Sequence, residues 1–304
     1  MQRFIAIVVA MSVLGVGAKG QIVATKSAKI VMIDTTGNEV NLLPKKGEEG
    51  QSPKWAPNGK AIGYSGDFGV IMQMDPDGKN KRQVTQSNAW AHIDWSPDGT
   101  KIVATKATGE DIINEIWAID IASGEEVLLT KEGDLNWYPD WSPDGTRIAF
   151  GSYRNGTFQV YTLTIATKRI RQLTNQGSNG GPVWSPDGTK IAFSSDRGGG
   201  SDIFIMTADG DNQRQVTFQK GSYFGLTWST DGSEIVFAYT NTINHKFVDL
   251  CAVKPDGSGW RQITNTTDGS VYSDPDAFPL SALPVAPAGR TATTWGELKR
   301  VNRE

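Results

Sequence analysis

Cysteine is nearly absent from this chain of 304 residues: Cys251 stands alone, so no internal disulfide can form. It falls in an apolar stretch and reads as a small buried side chain. Histidine occurs twice, as His92 and His245. A three-histidine metal centre is therefore excluded by arithmetic, and neither CxxC nor HExxH is present. No metal and no cofactor is expected. GxSxG is missing, which leaves a serine hydrolase without its nucleophile turn. Runs of Lys/Arg are missing too, so the chain offers no electrostatic footprint for nucleic acid or an anionic membrane. Beyond residue 20 no apolar stretch approaches 18 residues, and no stable membrane insertion is expected.

The one apolar run lies at the start. Arg3 is followed by the run Phe4 to Val16 and by small residues up to Gly20, the pattern of a secretory signal peptide over residues 1–20. Cleavage fits after Ala18 or after Gly20, with Gly20 favoured. GVGAKG at 15–20 matches GxGxxG only in letters, because no strand–turn–helix unit surrounds it. Removing Arg3 and Lys19 from the 30 basic residues leaves 28 against 33 acids, a net charge of −5. The expected location is the periplasm or the outside of the cell.

What is abundant is glycine, 34 residues, and tryptophan, 10 residues, and the two are arranged periodically. WSPDG stands at 95–99, 141–145 and 184–188, with variants WAPNG at 55–59 and WSTDG at 228–232. The spacings of 40, 46, 43 and 44 residues match the length of a four-stranded propeller blade. Each unit reads as an apolar strand ending in Trp, a tight turn, two more apolar strands, and a short last strand. The last strand ends in RQVT, VLLT, RQLT, RQVT or RQIT. Pro sets φ at the second turn position and Gly supplies positive φ. The Trp is the bulky anchor expected to wedge between sheets.

Five near-complete units are visible. Residues 21–44 read as second, third and fourth strands without a first, and YSDPDAF at 272–278 falls one period after Trp228. The expectation is an all-β, six-bladed propeller of four-stranded antiparallel blades over residues 21–280. Its sixth blade is shared between the two ends of the repeat array, so the ring leaves no open sheet edge. Residues 281–304 read as a Pro/Ala linker and a short tail, with Thr294 and Glu297 forming a capping box.

The grammar WSPDGxxIAF…DIY…DxxGxxxRxLT resembles the TolB-like propellers over roughly residues 21–280, most closely at 184–217. The resemblance implies a secreted or periplasmic binding propeller. It lacks the α/β domain that precedes the propeller in TolB, which argues against a literal TolB role. Oligogalacturonate lyases are related propellers with a histidine-rich metal centre, and this sequence has no such set of histidines.

Two groups of residues are candidates for function. The stretch entering each first strand is rich in rings: Trp90, His92, Trp137, Tyr138, Tyr223, Phe224 and Tyr272 are expected around one mouth of the channel. Such rings anchor protein interfaces and also stack on sugars. Asp94, Asp140, Asp274 and Asp276 lie beside the repeated anchor. They could converge on the channel as a glycosidase pair would; the alternative is that they bond to turns or to neighbouring backbone. The expected function is a non-catalytic propeller engaging a protein or peptide at the channel mouth. The alternative is a carbohydrate-active enzyme or glycan-binding lectin using the same mouth. The DPDG, ADGDN and KPDG stretches lack the acidic spacing of a calcium loop and are accounted for as hairpin turns.

Overall fold

The computed structural model describes residues 21–278 apart from 35–37, 44, 46, 88–89, 109–112, 131–134, 220, 242–247 and 267–269. The signal segment, the tail beyond residue 278 and His245 lie outside the described residues. Six antiparallel sheets of four strands each are present. Their first strands are Gly50–Trp55 in blade 1, Trp90–Trp95 in blade 2, Asn136–Trp141 in blade 3, Asn179–Trp184 in blade 4, Ser222–Trp228 in blade 5 and Tyr272–Phe278 in blade 6. These six strands pack side by side in a closed circuit and form the wall of a central channel.

Blade 6 is built from both ends of the array, in the order Tyr272–Phe278, Gln21–Lys26, Lys29–Ile33, Glu39–Asn41. The register places Ile22 opposite Ala277 and Gln21 opposite Phe278. The expected closure is therefore present. No helix among the described residues is long and apolar enough to cross a membrane.

Local chemistry explains the repeat. In each turn the Gly N–H donates to the carbonyl three residues back, as from Gly99 to Ser96 at 2.8 Å, with Gly99 at φ +69°. Asp98 Oδ1 accepts from Ser96 Oγ at 2.6 Å and from the Thr100 N–H at 3.0 Å, which locks the turn. The same bonds recur at Asp144 and Asp187. The closing Thr of each unit has an equally fixed task. Thr85, Thr130, Thr174, Thr217 and Thr264 accept, at 2.8 to 3.0 Å, a third-strand N–H that no fourth-strand carbonyl reaches.

The middle strands carry unbroken apolar runs such as Ile191–Ala192–Phe193, each 0% exposed. They need no alternation because a sheet lies against both faces. The anchors fill the seams: Trp95 donates its Nε1–H to the Lys54 carbonyl of the preceding blade at 3.1 Å, and Trp228 does the same to Val183. Cys251 is buried in the seam between blades 4 and 5, where burial pushes its thiol up to about 12.

Candidate functional site

The first strand of every blade is irregular at the same place. Pairing with the second strand slips between Gln51 and Lys54, Ala91 and Ile93, Trp137 and Asp140, Gly180 and Val183, and Phe224 and Thr227; the sixth copy slips where Ser273 passes to Asp276. One residue in each bulge takes a left-handed backbone, three positions before the anchor. These residues are Ser52 (φ +50°), His92 (+46°), Tyr138 (+53°), Gly181 (+55°), Gly225 (+59°) and Asp274 (+47°). A bulge bends a strand and re-aims one side chain. Here six bulges turn six residues into the channel, forming a constriction ring. Four are not glycine, and a left-handed backbone costs such residues about 1–3 kcal/mol each. The closed circuit of first strands imposes it.

The residues just before the anchors form a second ring below the first: Lys54, Asp94, Asp140, Val183, Thr227 and Asp276. Their carboxylates hold the seams. Asp276 Oδ2 accepts the Trp55 N–H, Asp94 Oδ2 the Trp141 N–H and Asp140 Oδ2 the Trp184 N–H, each at 2.7 Å. In each case the donor belongs to the next blade. Lys54 lies among them, its ammonium 3.4 Å from Asp276 Oδ1. Burial opposes the charge on Lys54, but Asp276, Asp94 and Asp140 outweigh it and raise its pKa. Burial raises Asp94 to about 6 against the pull of Lys54, and burial together with Asp94 holds Asp140 well above the usual carboxylate range. Of the two sequence readings of these acids, bonding to neighbouring backbone describes Asp94, Asp140 and Asp276.

The seven predicted rings separate into two sets. Trp90, Tyr223 and Tyr272 are 2%, 1% and 5% exposed and pack within the sheets and their seams. Trp90 donates to the Ser87 carbonyl, Tyr223 packs at a tilt on Phe237 with ring centres 5.4 Å apart, and Tyr272 donates its hydroxyl to Glu39. His92, Trp137 and Tyr138 come together instead. The His92 ring lies 3.9 Å from that of Tyr138 and 5.8 Å from that of Trp137. Tyr138 is 42% exposed, and Phe224, packed against the core between blades 5 and 6, lines the same cavity as His92 and Tyr138.

Two connected spaces adjoin this cluster. A vestibule of about 730 Å³ is lined by Glu49, Asp67, His92, Tyr138, Phe224 and Asp274, among others. A deeper cavity of about 180 Å³ shares His92, Tyr138, Phe224 and Asp274 and reaches Lys54, Asp140 and Gly181. Burial lowers the pKa of His92, opposed by the charge of Asp274. Its Nδ1 is buried with no hydrogen-bond partner among the described residues. Sequence reasoning missed Ser52, Gly181 and Gly225 as ring members and Lys54 as the cation of the channel. The signal was available as the column of residues three before each anchor. Among the described residues, no group of three or more His, Cys, Asp or Glu side chains is placed to hold a metal.

Comparison with known proteins agrees with this architecture. A protein of Agrobacterium tumefaciens assigned as a TolB superposes with a TM-score of 0.68 at 21% identity, covering 86% of this chain and 99% of that one. TolB from Acinetobacter baumannii gives a TM-score of 0.73 at 20% identity, covering 85% of this chain and 66% of that one. An oligogalacturonate lyase solved in complex with manganese superposes more loosely, with a TM-score of 0.55 at 17% identity, covering 81% and 74% of the two chains. At such identities these likenesses describe the fold. No curated protein sequence gives a significant match. The model of the TolB beta propeller domain matches residues 67–277, more than two thirds of the chain, and the chain belongs to that family.

Proposed function

We propose that this chain is a non-catalytic binding propeller, secreted to the periplasm or beyond, that engages a protein or peptide partner at the channel mouth. One observation carries the reading. Tyr138 is held on a left-handed backbone and is 42% exposed above an open vestibule, with Trp137 beside it. A large ring kept in strain and in water contributes little to folding and is well placed to be covered by another molecule. Tyr153, 43% exposed, and Phe158 extend the aromatic surface outward from Trp137, their rings 5.1 Å apart. Of the four acids beside the anchors, Asp94, Asp140 and Asp276 are engaged in holding seams, which favours binding over turnover.

The test places a photo-crosslinking amino acid at Tyr138 and, separately, at exposed Lys190 on the turn side of blade 4. Expressed in the cell of origin, the Tyr138 variant is expected to form a discrete adduct with a second protein that the Lys190 variant does not. Absence of any adduct, or identical adducts at both positions, would overturn the proposal.

A further inference from the structure

We infer that the deeper cavity is a berth for one positively charged side chain, best an arginine guanidinium, carried by the segment that docks at the mouth. The inference rests on the binding reading above for the source of that side chain and on the following geometry for its chemistry.

The constriction ring is filled unevenly. Blades 1, 2, 3 and 6 place Ser52, His92, Tyr138 and Asp274 at the bulge, whereas blades 4 and 5 place Gly181 and Gly225. The four occupied copies show that this backbone does not itself require glycine. At Gly181 a Cβ would meet nothing within 4 Å, so the missing side chain is simply an unfilled space. Gly225 is different: a Cβ there would lie 2.7 Å from the Asp274 N, so its absence lets blade 6 bring Asp274 up to the cavity. The result is a recess of about 180 Å³ adjoining the vestibule. By itself it is below the roughly 300–1,000 Å³ of a drug-sized site and on the scale of one long side chain.

Its walls select the charge. Among the described residues the vestibule and recess are lined by the acids Glu49, Asp67 and Asp274, and by Asp140, whose Oδ2 is already taken by the Trp184 N–H. They present one cation, Lys54, which is already bonded to Asp276. Asp274 accepts a hydrogen bond from Ser273 Oγ at 3.0 Å and has no lysine or arginine partner among the described residues. An anion entering here meets like charge; a cation passes from one carboxylate to the next.

Independently of the acids, the rings and the histidine point to a planar donor. Tyr138 and Phe224 supply aromatic surface on which a guanidinium stacks. The His92 Nδ1 is buried and has no hydrogen-bond partner among the described residues. A guanidinium brings five N–H donors in one plane, enough to serve a carboxylate and an imidazole nitrogen at once, which an ammonium on a flexible stem matches less well.

The test uses ethylguanidinium as the probe, with ethylammonium and acetamide as comparisons, followed through the ring resonances of His92 and Tyr138. Ethylguanidinium is expected to give saturable shifts, ethylammonium weaker ones and acetamide none. Asp274→Asn is expected to weaken binding about tenfold or more, the effect of losing a charged hydrogen-bond partner. Gly181→Tyr should abolish it by filling the recess as Tyr138 fills its own position, and Gly181→Asn, which tolerates the left-handed backbone and still projects into the recess, serves if the larger residue fails to fold. The inference is overturned if the three probes shift the rings alike, if ethylguanidinium does not saturate, or if binding survives both Asp274→Asn and a folded Gly181 variant. A Tyr138 adduct without guanidinium binding sinks the berth and leaves the partner; guanidinium binding without an adduct does the reverse.

Discussion

Asp140 Oδ2 accepts the backbone N–H of Trp184 at 2.7 Å, across the seam between blades 3 and 4. The same bond joins Asp94 to Trp141 and Asp276 to Trp55, so at three of the six seams an acid ties the first strand of a blade to the next. The first strands of different blades do not share a ladder, and their inward N–H groups need another acceptor. These side chains supply it.

Removing that acceptor should therefore weaken the ring. Asp140→Ala leaves the Trp184 N–H unpaired and is expected to cost about 1–3 kcal/mol in urea unfolding. Asp140→Asn keeps an acceptor oxygen and should cost distinctly less. Equal losses would mean that the hydrogen bond is not what holds the seam.

Stability should also respond to pH through Asp94. Burial raises its carboxyl to about 6 from an ordinary value of 3.8. Between those values the folded chain retains a proton that the unfolded chain has released, so this group's contribution declines as pH rises from about 4 through 6. Compared with Asp94→Asn, the parent should lose ground by an amount on the order of 1–3 kcal/mol between pH 4 and pH 7. Parallel urea midpoints for the two proteins at several pH values would show it; a constant difference would contradict it.

The two sets of rings should separate cleanly by stability. Trp90→Ala and Tyr223→Ala open cavities in packed surroundings and should each cost about 3–5 kcal/mol. Tyr138→Ala, with its ring 42% exposed, should change stability by less than about 1 kcal/mol. Thermal unfolding of the three variants checks this.

Closure should matter more than any single contact. Deleting 272–278 strips the partner from Gln21–Lys26 and the acceptor from the Trp55 N–H. The exposed edge should lead to loss of a single cooperative transition and to association, measured by calorimetry and light scattering.

The propeller was legible in the sequence because its signals are local and repeated. The Pro-Asp-Gly turn acts within a few residues, the closing Thr within its own blade and the Trp on the blade before it, and five copies average out the exceptions. The shared blade could be read because 21–44 lacks a first strand and 272–278 lacks its successors.

The site was only half legible. Trp137 and Tyr138 are neighbours in sequence, as are Tyr223 and Phe224, and in a regular strand such neighbours face opposite sides. Alternation alone does not say which is free. The bulge decides it, turning Tyr138 to the channel while Tyr223 packs on Phe237.

By itself, then, the sequence determined the module, its number and its closure, since turn chemistry and strand hydrophobicity are properties of short segments. Only the tertiary structure decided which side chains meet in the channel. Six first strands crowded around one axis must bulge, and the ring of Ser52, His92, Tyr138, Gly181, Gly225 and Asp274 exists only once they do.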